Sequence, residues 1–289
     1  MSHLVRFWGV RGSIPTPGPA TARYGGNTAC LSVTNGRSGL VILDAGSGLR
    51  GLGHDLMQQL QGKALRADLL LTHTHWDHIQ GLPFFKPLSA RGNEVCIRGA
   101  AQEGVPLEDI LGRQMDPMVF PVPLRALAAR IEVLEVTAGK FEIAGFKVDA
   151  VRLRHPGTTL GYILEPAQGG RRFAYLTDNE LGPGGNYPVG PHWRNELVQH
   201  LEGVDTLIHD AMYVDQMIAA RAGWGHSTPR ESVDLARDAR VHRLILFHFE
   251  PEHDDTTMDR ILADARAYAA KCAPNLVVDA AVEGLTFSL

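Results

Sequence analysis

The sequence predicts an α/β protein with a layered sheet core, from three observations. Short apolar, β-branched runs of strand length recur along the chain, each bounded by Gly, Pro, Asp or Asn. Between many of them lie segments with apolar residues at helical spacing. The strands come first as hairpin-like neighbours and then alternate with helices, an order that suits sheets covered by helical layers. In chain order the strand-like runs are LVRFWG (4–9), ACLSVTN (29–35), LVILDAG (40–46), DLLLT (68–72), EVCIRG (94–99) and IEVLEV (131–136). They continue with FKVDAVRL (146–153), TLGYILE (159–165), RFAYLT (172–177), DTLIHD (205–210) and LILFHF (244–249). The helical patterns fall at 49–60, 107–115, 192–201, 215–221, 229–239 and 257–271. No linker, low-complexity tract or short repeat divides the 289 residues, so one domain over 1–289 is expected. Two Gly/Pro-rich stretches, IPTPGPATARYGG and LGPGGNYPVGP, sit between structured runs and read as loops at the rim of a site.

Composition narrows the class. An apolar share of 44% is ordinary for a chain with a substantial core. The net charge of −4, with acids and bases mixed, disfavours a general nucleic-acid coat. Neither a long apolar leader nor a run of membrane-spanning length is visible. The three cysteines, Cys30, Cys96 and Cys272, have no zinc-knuckle spacing and no even count for a disulfide framework. A cytoplasmic protein is expected.

The chemistry concentrates in LTHTHWDHIQG, residues 71–81. A buried strand ending near His73 would place His73 and His75 on one side, because residues two apart in extended chain point the same way. Asp77 and His78 follow where the chain turns. Four donors this close crowd a single tetrahedral ion that must also keep an open position, whereas two adjacent ions relieve the crowding. His73 and His75 would then serve one ion, Asp77 and His78 the other.

THTHWDH resembles the signature of the metallo-β-lactamase superfamily, and the resemblance implies a four-layer αββα sandwich. It further implies that His155 in RLRHPGTTLGYILE completes the first metal, that His248 in LILFHFEPEHDD completes the second, and that Asp178 in FAYLTDNE bridges them. Asp44 in VILDAGSG matches an aspartate that supports the site without binding metal. Members that bind two irons for oxygen reduction carry Glu where this chain has His75, so the resemblance points to hydrolysis. The implied cofactor is a pair of divalent ions, Zn²⁺ first, with Mn²⁺ or Fe²⁺ able to use the same donors. Such a pair, about 3.5–4 Å apart, lowers the pKa of a held water and clamps a substrate oxygen.

The region between Asp178 and His248 is similar to the phosphodiesterase branch, which includes tRNase Z and the phosphoribosyl cyclic phosphodiesterases. There an acidic residue orients a histidine, and Asp210 in DTLIHDAMYVDQ and His226 in AGWGHSTPRESVDLARDA fall on those positions. An alkoxide departs poorly unless protonated, and an imidazolium held by a carboxylate is a suitable donor near pH 7. Asp77, at the second ion, joins His226 and Asp210 in the catalytic set. His209 is expected to be buried structure. Ser227 or Thr228 would cap the helix that follows. Asp210 is shorter than the Glu usual in tRNase Z, and 100–130 does not fit a long basic RNA-gripping arm. The expected substrate is therefore a small, cyclic phosphodiester such as a cyclic nucleotide or a cyclic sugar phosphate. A tRNase Z-like 3′-processing nuclease and a carboxylic-ester or lactone hydrolase are the alternatives; a homodimer is common among such relatives.

In the N-terminal stretch FWGVRGSIPTPGPATARYGGNTACLSV, Arg11, Arg23 and Asn27 could meet a phosphate. A Gly/Pro turn that only stabilises the first strands, with Asn27 and Thr28 bonded locally, is the competing reading. His253 in EPEHDD is expected on an exposed acidic loop, and Phe84 and Phe85 as packing or a pocket wall.

Overall fold

A computed structural model describes residues 3–34 and 39–289, and Asn35, the last residue of the ACLSVTN run, lies outside them. Two seven-stranded sheets stack face to face. The first half of the chain runs β1 (Leu4–Gly9), β2 (Cys30–Thr34), β3 (Leu40–Leu43), α1 (Leu49–Leu60), β4 (Arg66–Leu70), α2 (Trp76–Ile79), β5 (Glu94–Gly99), α3 (Leu107–Gln114) and β6 (Arg130–Glu135). The second half runs β7 (Gly139–Ile143), β8 (Phe146–Arg152), β9 (Leu160–Pro166), β10 (Arg172–Leu176), α4 (Trp193–His200), β11 (Val204–Asp210), α5 (Asp215–Ile218), α6 (Pro229–Asp238), β12 (Arg243–Phe247), α7 (Asp255–Cys272), β13 (Val277–Ala280) and β14 (Thr286–Ser288).

The sheet orders are β14-β1-β2-β3-β4-β5-β6 and β13-β12-β11-β10-β9-β8-β7. Each opens with antiparallel neighbours and continues in parallel from β3 to β6 and from β10 to β13. Parallel neighbours need a crossover, and the intervening helices supply it on the outer faces. Alternation along β3 shows how the layers form. Val41 and Leu43 face the core between the sheets, while Leu40 and Ile42 pack outward with Leu49 and Leu52 of α1. On the other side Trp193 and Leu197 of α4, Val233 and Leu235 of α6 and Met258 of α7 cover the second sheet. The result is helices, sheet, sheet, helices: the expected αββα sandwich.

Every expected strand and helix forms, and the differences sit at the edges. β7, β13 and β14 were not legible: GKFEI carries charges on a sheet edge, and β14 is three residues long. The helical pattern at 215–221 splits into α5 and a 3₁₀ turn. The two sheets are tied across their interface by Phe7 against Phe247, with ring centroids 6.0 Å apart. Tyr162 also donates to the Leu71 carbonyl at 2.6 Å. Burying one such aromatic ring stabilises the sandwich by roughly 2–3 kcal/mol. Among the described residues no helix is long and apolar enough to cross a membrane.

Candidate metal centre

The carboxyl ends of β3, β4, β10, β11 and β12 meet along one rim, where a parallel α/β sheet exposes its strand ends to ligands. Three residues there, Asp44, Asp178 and His248, adopt left-handed backbone with φ of 60°, 55° and 62°. A non-glycine residue held this way costs on the order of 1 kcal/mol and persists only where its surroundings demand it. The demand is side-chain direction: each turns at its strand end into one polar cluster.

His73 follows β4 and is almost fully buried. His75 is the N-cap of α2, and the single turn of α2 presents Asp77 and His78. His155 comes from the connection between β8 and β9. The ligand-capable atoms of His73, His75 and His155 lie within 4.8 Å of one another, and so do those of Asp77, His78 and His248. Asp178 stands between the two groups. Its Oδ1 is 3.7 Å from Nε2 of both His73 and His155, and its Oδ2 is 3.1 Å from Nε2 of His78 and 3.2 Å from Nε2 of His248.

The far nitrogens of His78 and His155 are held from outside the cluster. His78 Nδ1 is 2.8 Å from Asp44 Oδ2, and His155 Nδ1 is 3.0 Å from the Gly225 carbonyl. Asp44 is in turn held by the Thr72 amide and hydroxyl and by the Tyr175 hydroxyl. Such outer bonds fix ring orientation and leave Nε2 facing the cluster. Burial, with His78 nearby, keeps His73 well below its ordinary pKa, and burial likewise lowers His155 to about 4. Both are therefore neutral, the form that binds a cation. Burial alone would raise the Asp77 and Asp178 carboxyls, but the surrounding imidazoles, His78 foremost for Asp77 and His248 foremost for Asp178, hold both well below the usual range.

These residues fit two divalent ions. His73 Nε2 is buried with no hydrogen-bond partner, and the other inward-facing nitrogens meet mostly imidazoles and carboxylates. A cation on each side of Asp178 would complete both groups, and imidazole with carboxylate is a zinc-type donor set.

Beside the cluster, His226 Nδ1 is 2.7 Å from Asp210 Oδ2, and the His226 ring stacks on His248 at 5.2 Å. Asp210 ends β11, and its other oxygen accepts from the amides of Ser227 and Met212. Burial works against a charged His226, but the Asp210 charge and hydrogen bond outweigh it and push the imidazole up to about 9. Immediately downstream, Thr228 caps α6 in a reciprocal box with Glu231. His209 is buried against Asn179 and Ser232, a structural use.

The three phosphate candidates are placed differently from the cluster residues. Arg11 is fully buried, donating from Nε to the Gly25 carbonyl and from Nη1 to the carbonyls of Glu250 and His253. Asn27 donates to Glu283 and accepts from the Ser47 hydroxyl. Arg23 pairs with Asp259 on the surface. These bonds favour the reading in which the N-terminal stretch is a structural turn. That turn still reaches the site through its backbone. The Ser13 amide donates to Asp77 Oδ2 at 2.8 Å, and a Cβ on Gly12 would fall 2.4 Å from the His248 ring. His253 is buried rather than exposed, because its carbonyl helps to receive Arg11. Phe85 is core packing, whereas Phe84 is exposed and edge-on to Phe120. Sequence reasoning missed Ser13, Tyr175, Glu180 and Gly225; the backbone groups among them leave no residue-type signal.

Comparison with known proteins agrees with this fold. Residues 40–249 match the family model described as "Beta-lactamase superfamily domain". Ribonuclease BN of Cronobacter sakazakii is 25% identical, over 82% of this chain and 87% of its own. A solved diphosphatase from the PhnP family shares the fold at a TM-score of 0.66, with 20% identity over 99% of this chain and 98% of that one. The unliganded yeast PDE1 structure does so at 0.71, with 16% identity over 100% and 99%. Metal-dependent hydrolysis is the chemistry that goes with this family, and the donor set described above is suited to it. With more than half of its length inside that match, the chain belongs to the beta-lactamase superfamily.

Proposed function

We propose that this chain, as one catalytic domain in the cytoplasm, is a dinuclear zinc phosphodiesterase acting on a small, cyclic phosphodiester. His73, His75 and His155 would hold one ion, Asp77, His78 and His248 the other, with Asp178 shared. When bound, such a pair supplies Lewis acidity that lowers the pKa of water and draws charge from a phosphoryl oxygen. The protein's own part is to hold and move a proton. With Nδ1 engaged by Asp210, His226 keeps its Nε2 proton for the departing oxygen. Asp210 cannot swing away, because two backbone amides hold its other oxygen. The single observation that carries the reading is this buried acid pair lying against His248 and next to the bridging position of Asp178. A β-lactam or activated ester needs no such donor, whereas an alkoxide leaving group does.

A small substrate is favoured by what surrounds the site. The chain is net acidic, and 100–130 contains α3 and one 3₁₀ turn, packed on the first sheet through Leu107, Leu111, Met115 and Leu124. Phosphate contacts along RNA would want clustered Lys and Arg. The second reading, a ribonuclease, is favoured by the similarity to ribonuclease BN of Cronobacter sakazakii. The deciding experiment is a panel of cyclic nucleotides, cyclic sugar phosphates, bis-nitrophenyl phosphate and a 3′-extended transfer-RNA precursor, with metal content measured. Turnover of a cyclic diester well above the precursor supports the proposal; the reverse preference establishes the nuclease. Turnover of esters or lactones alone would remove both.

A further inference from the structure

Glu180 lies two residues beyond the bridging position, and its side chain faces away from the cluster into two glycine-rich loops. It is 1% exposed. Oε1 accepts from the amide of Gly185 at 2.9 Å, and Oε2 accepts from the Tyr187 hydroxyl at 2.6 Å and the Gly225 amide at 3.0 Å. The Gly223 amide points at both oxygens, at 3.1 and 2.9 Å. A buried carboxylate filled by three backbone amides and a phenol is a strong anchor, because each hydrogen bond is assisted by the full charge.

What it anchors matters. Gly223 and Gly225 have φ of +85° and +87°, a region in which a glycine-rich segment has little stiffness of its own. The same few residues supply both halves of the chemistry. The Gly225 carbonyl receives His155 Nδ1, and the next residue is His226. The fit is close, since a Cβ on Gly225 would lie 2.0 Å from His155 Nδ1. Glu180 is also tied on the other side, its amide donating to the Arg154 carbonyl at 2.8 Å, next to His155.

We infer that Glu180 is a positioning residue: its carboxylate pins the 223–226 loop so that His226 is presented to the leaving-group oxygen. This rests on the reading of His226 as proton donor and adds a second carboxylate, behind Asp210, on which that donor depends. Loosening the anchor leaves His226 and Asp210 chemically intact but spends part of the time out of register, so the loss falls on proton delivery.

The test compares Glu180→Gln with wild type at saturating zinc, on one diester with an alkyl leaving group and one with a nitrophenolate. The expected result is a kcat lower by about 10–100-fold on the alkyl substrate, with KM within about two-fold and the nitrophenyl substrate nearly unchanged. In a His226→Ala background the same substitution should add less than about two-fold, because the group it positions is gone. Amide hydrogen exchange at 222–226 should quicken while β10 to β12 stay protected. Tyr187→Phe removes one donor and keeps the carboxylate, so it carries the same test in milder form should Glu180→Gln fold poorly. Equal losses on both substrates, or full additivity with His226→Ala, would overturn the positioning role. Unchanged exchange at 222–226 would overturn the anchoring itself. A His226→Ala enzyme without leaving-group dependence strikes the proton-donor reading instead, while the exchange result still reports on the anchor.

Discussion

The two halves of the molecule are built alike and supply the site differently. Each builds one sheet that runs antiparallel and then parallel, with helices outside, and β14 of the second half adds the edge strand of the first sheet. The first half delivers four metal-type side chains from six consecutive positions, His73 to His78, on one strand end and one helical turn. The second delivers His155, Asp178, Asp210, His226 and His248 singly, from four connections and the end of β11, spread over more than ninety residues. Neither half completes a group alone: His73 and His75 need His155, and Asp77 and His78 need His248. The difference teaches that the local motif concentrates ligands, while closure of the sandwich creates the geometry. Left-handed backbone marks where that closure is strained, at Asp44 in the first half and at Asp178 and His248 in the second.

Substitutions can break this comparison or sharpen it. The largest effect belongs to Asp178→Ala, which removes the one carboxylate shared by both groups; zinc content should fall from two toward zero per chain, with activity down by at least about a thousand-fold. His226→Ala should come next, with both ions retained and a loss of about 10²–10⁴ confined to poor leaving groups, read from kcat across a leaving-group series. Asp44→Asn should keep the fold but weaken metal affinity by about 10–100-fold through His78, measured by zinc titration. If His75→Ala and His155→Ala, one from each half, did not reduce the zinc stoichiometry equally, the shared grouping would be wrong. The smallest effect is expected for Thr228→Ala, about 1 kcal/mol of stability in denaturant unfolding with zinc content unchanged.

How much could be read beforehand follows the same division. HTHWDH is legible because chemistry and spacing coincide within one turn of chain. His155, Asp178 and His248 are ordinary residues at strand ends, and only the superfamily resemblance ordered them into a set. The strand pattern was legible wherever alternation faced a core, as along β3, and illegible in β7 and β14, where edges carry charge or are too short to show a period. Arg11 illustrates the reverse situation. An arginine in a glycine-rich loop looks like a phosphate ligand, but burial turned its guanidinium toward backbone carbonyls that needed donors. The Ser13 amide and the Gly225 carbonyl, which touch the site through backbone atoms, carry no side-chain signature at all.

In this reading the two halves close around a pair of ions shared through Asp178. Anomalous diffraction from crystals of zinc-loaded protein tests it most directly. Two peaks are expected about 3.5–4 Å apart on either side of the Asp178 carboxylate, one against His73, His75 and His155 and one against Asp77, His78 and His248. A single peak, or peaks bound elsewhere with this cluster left bare, would contradict it.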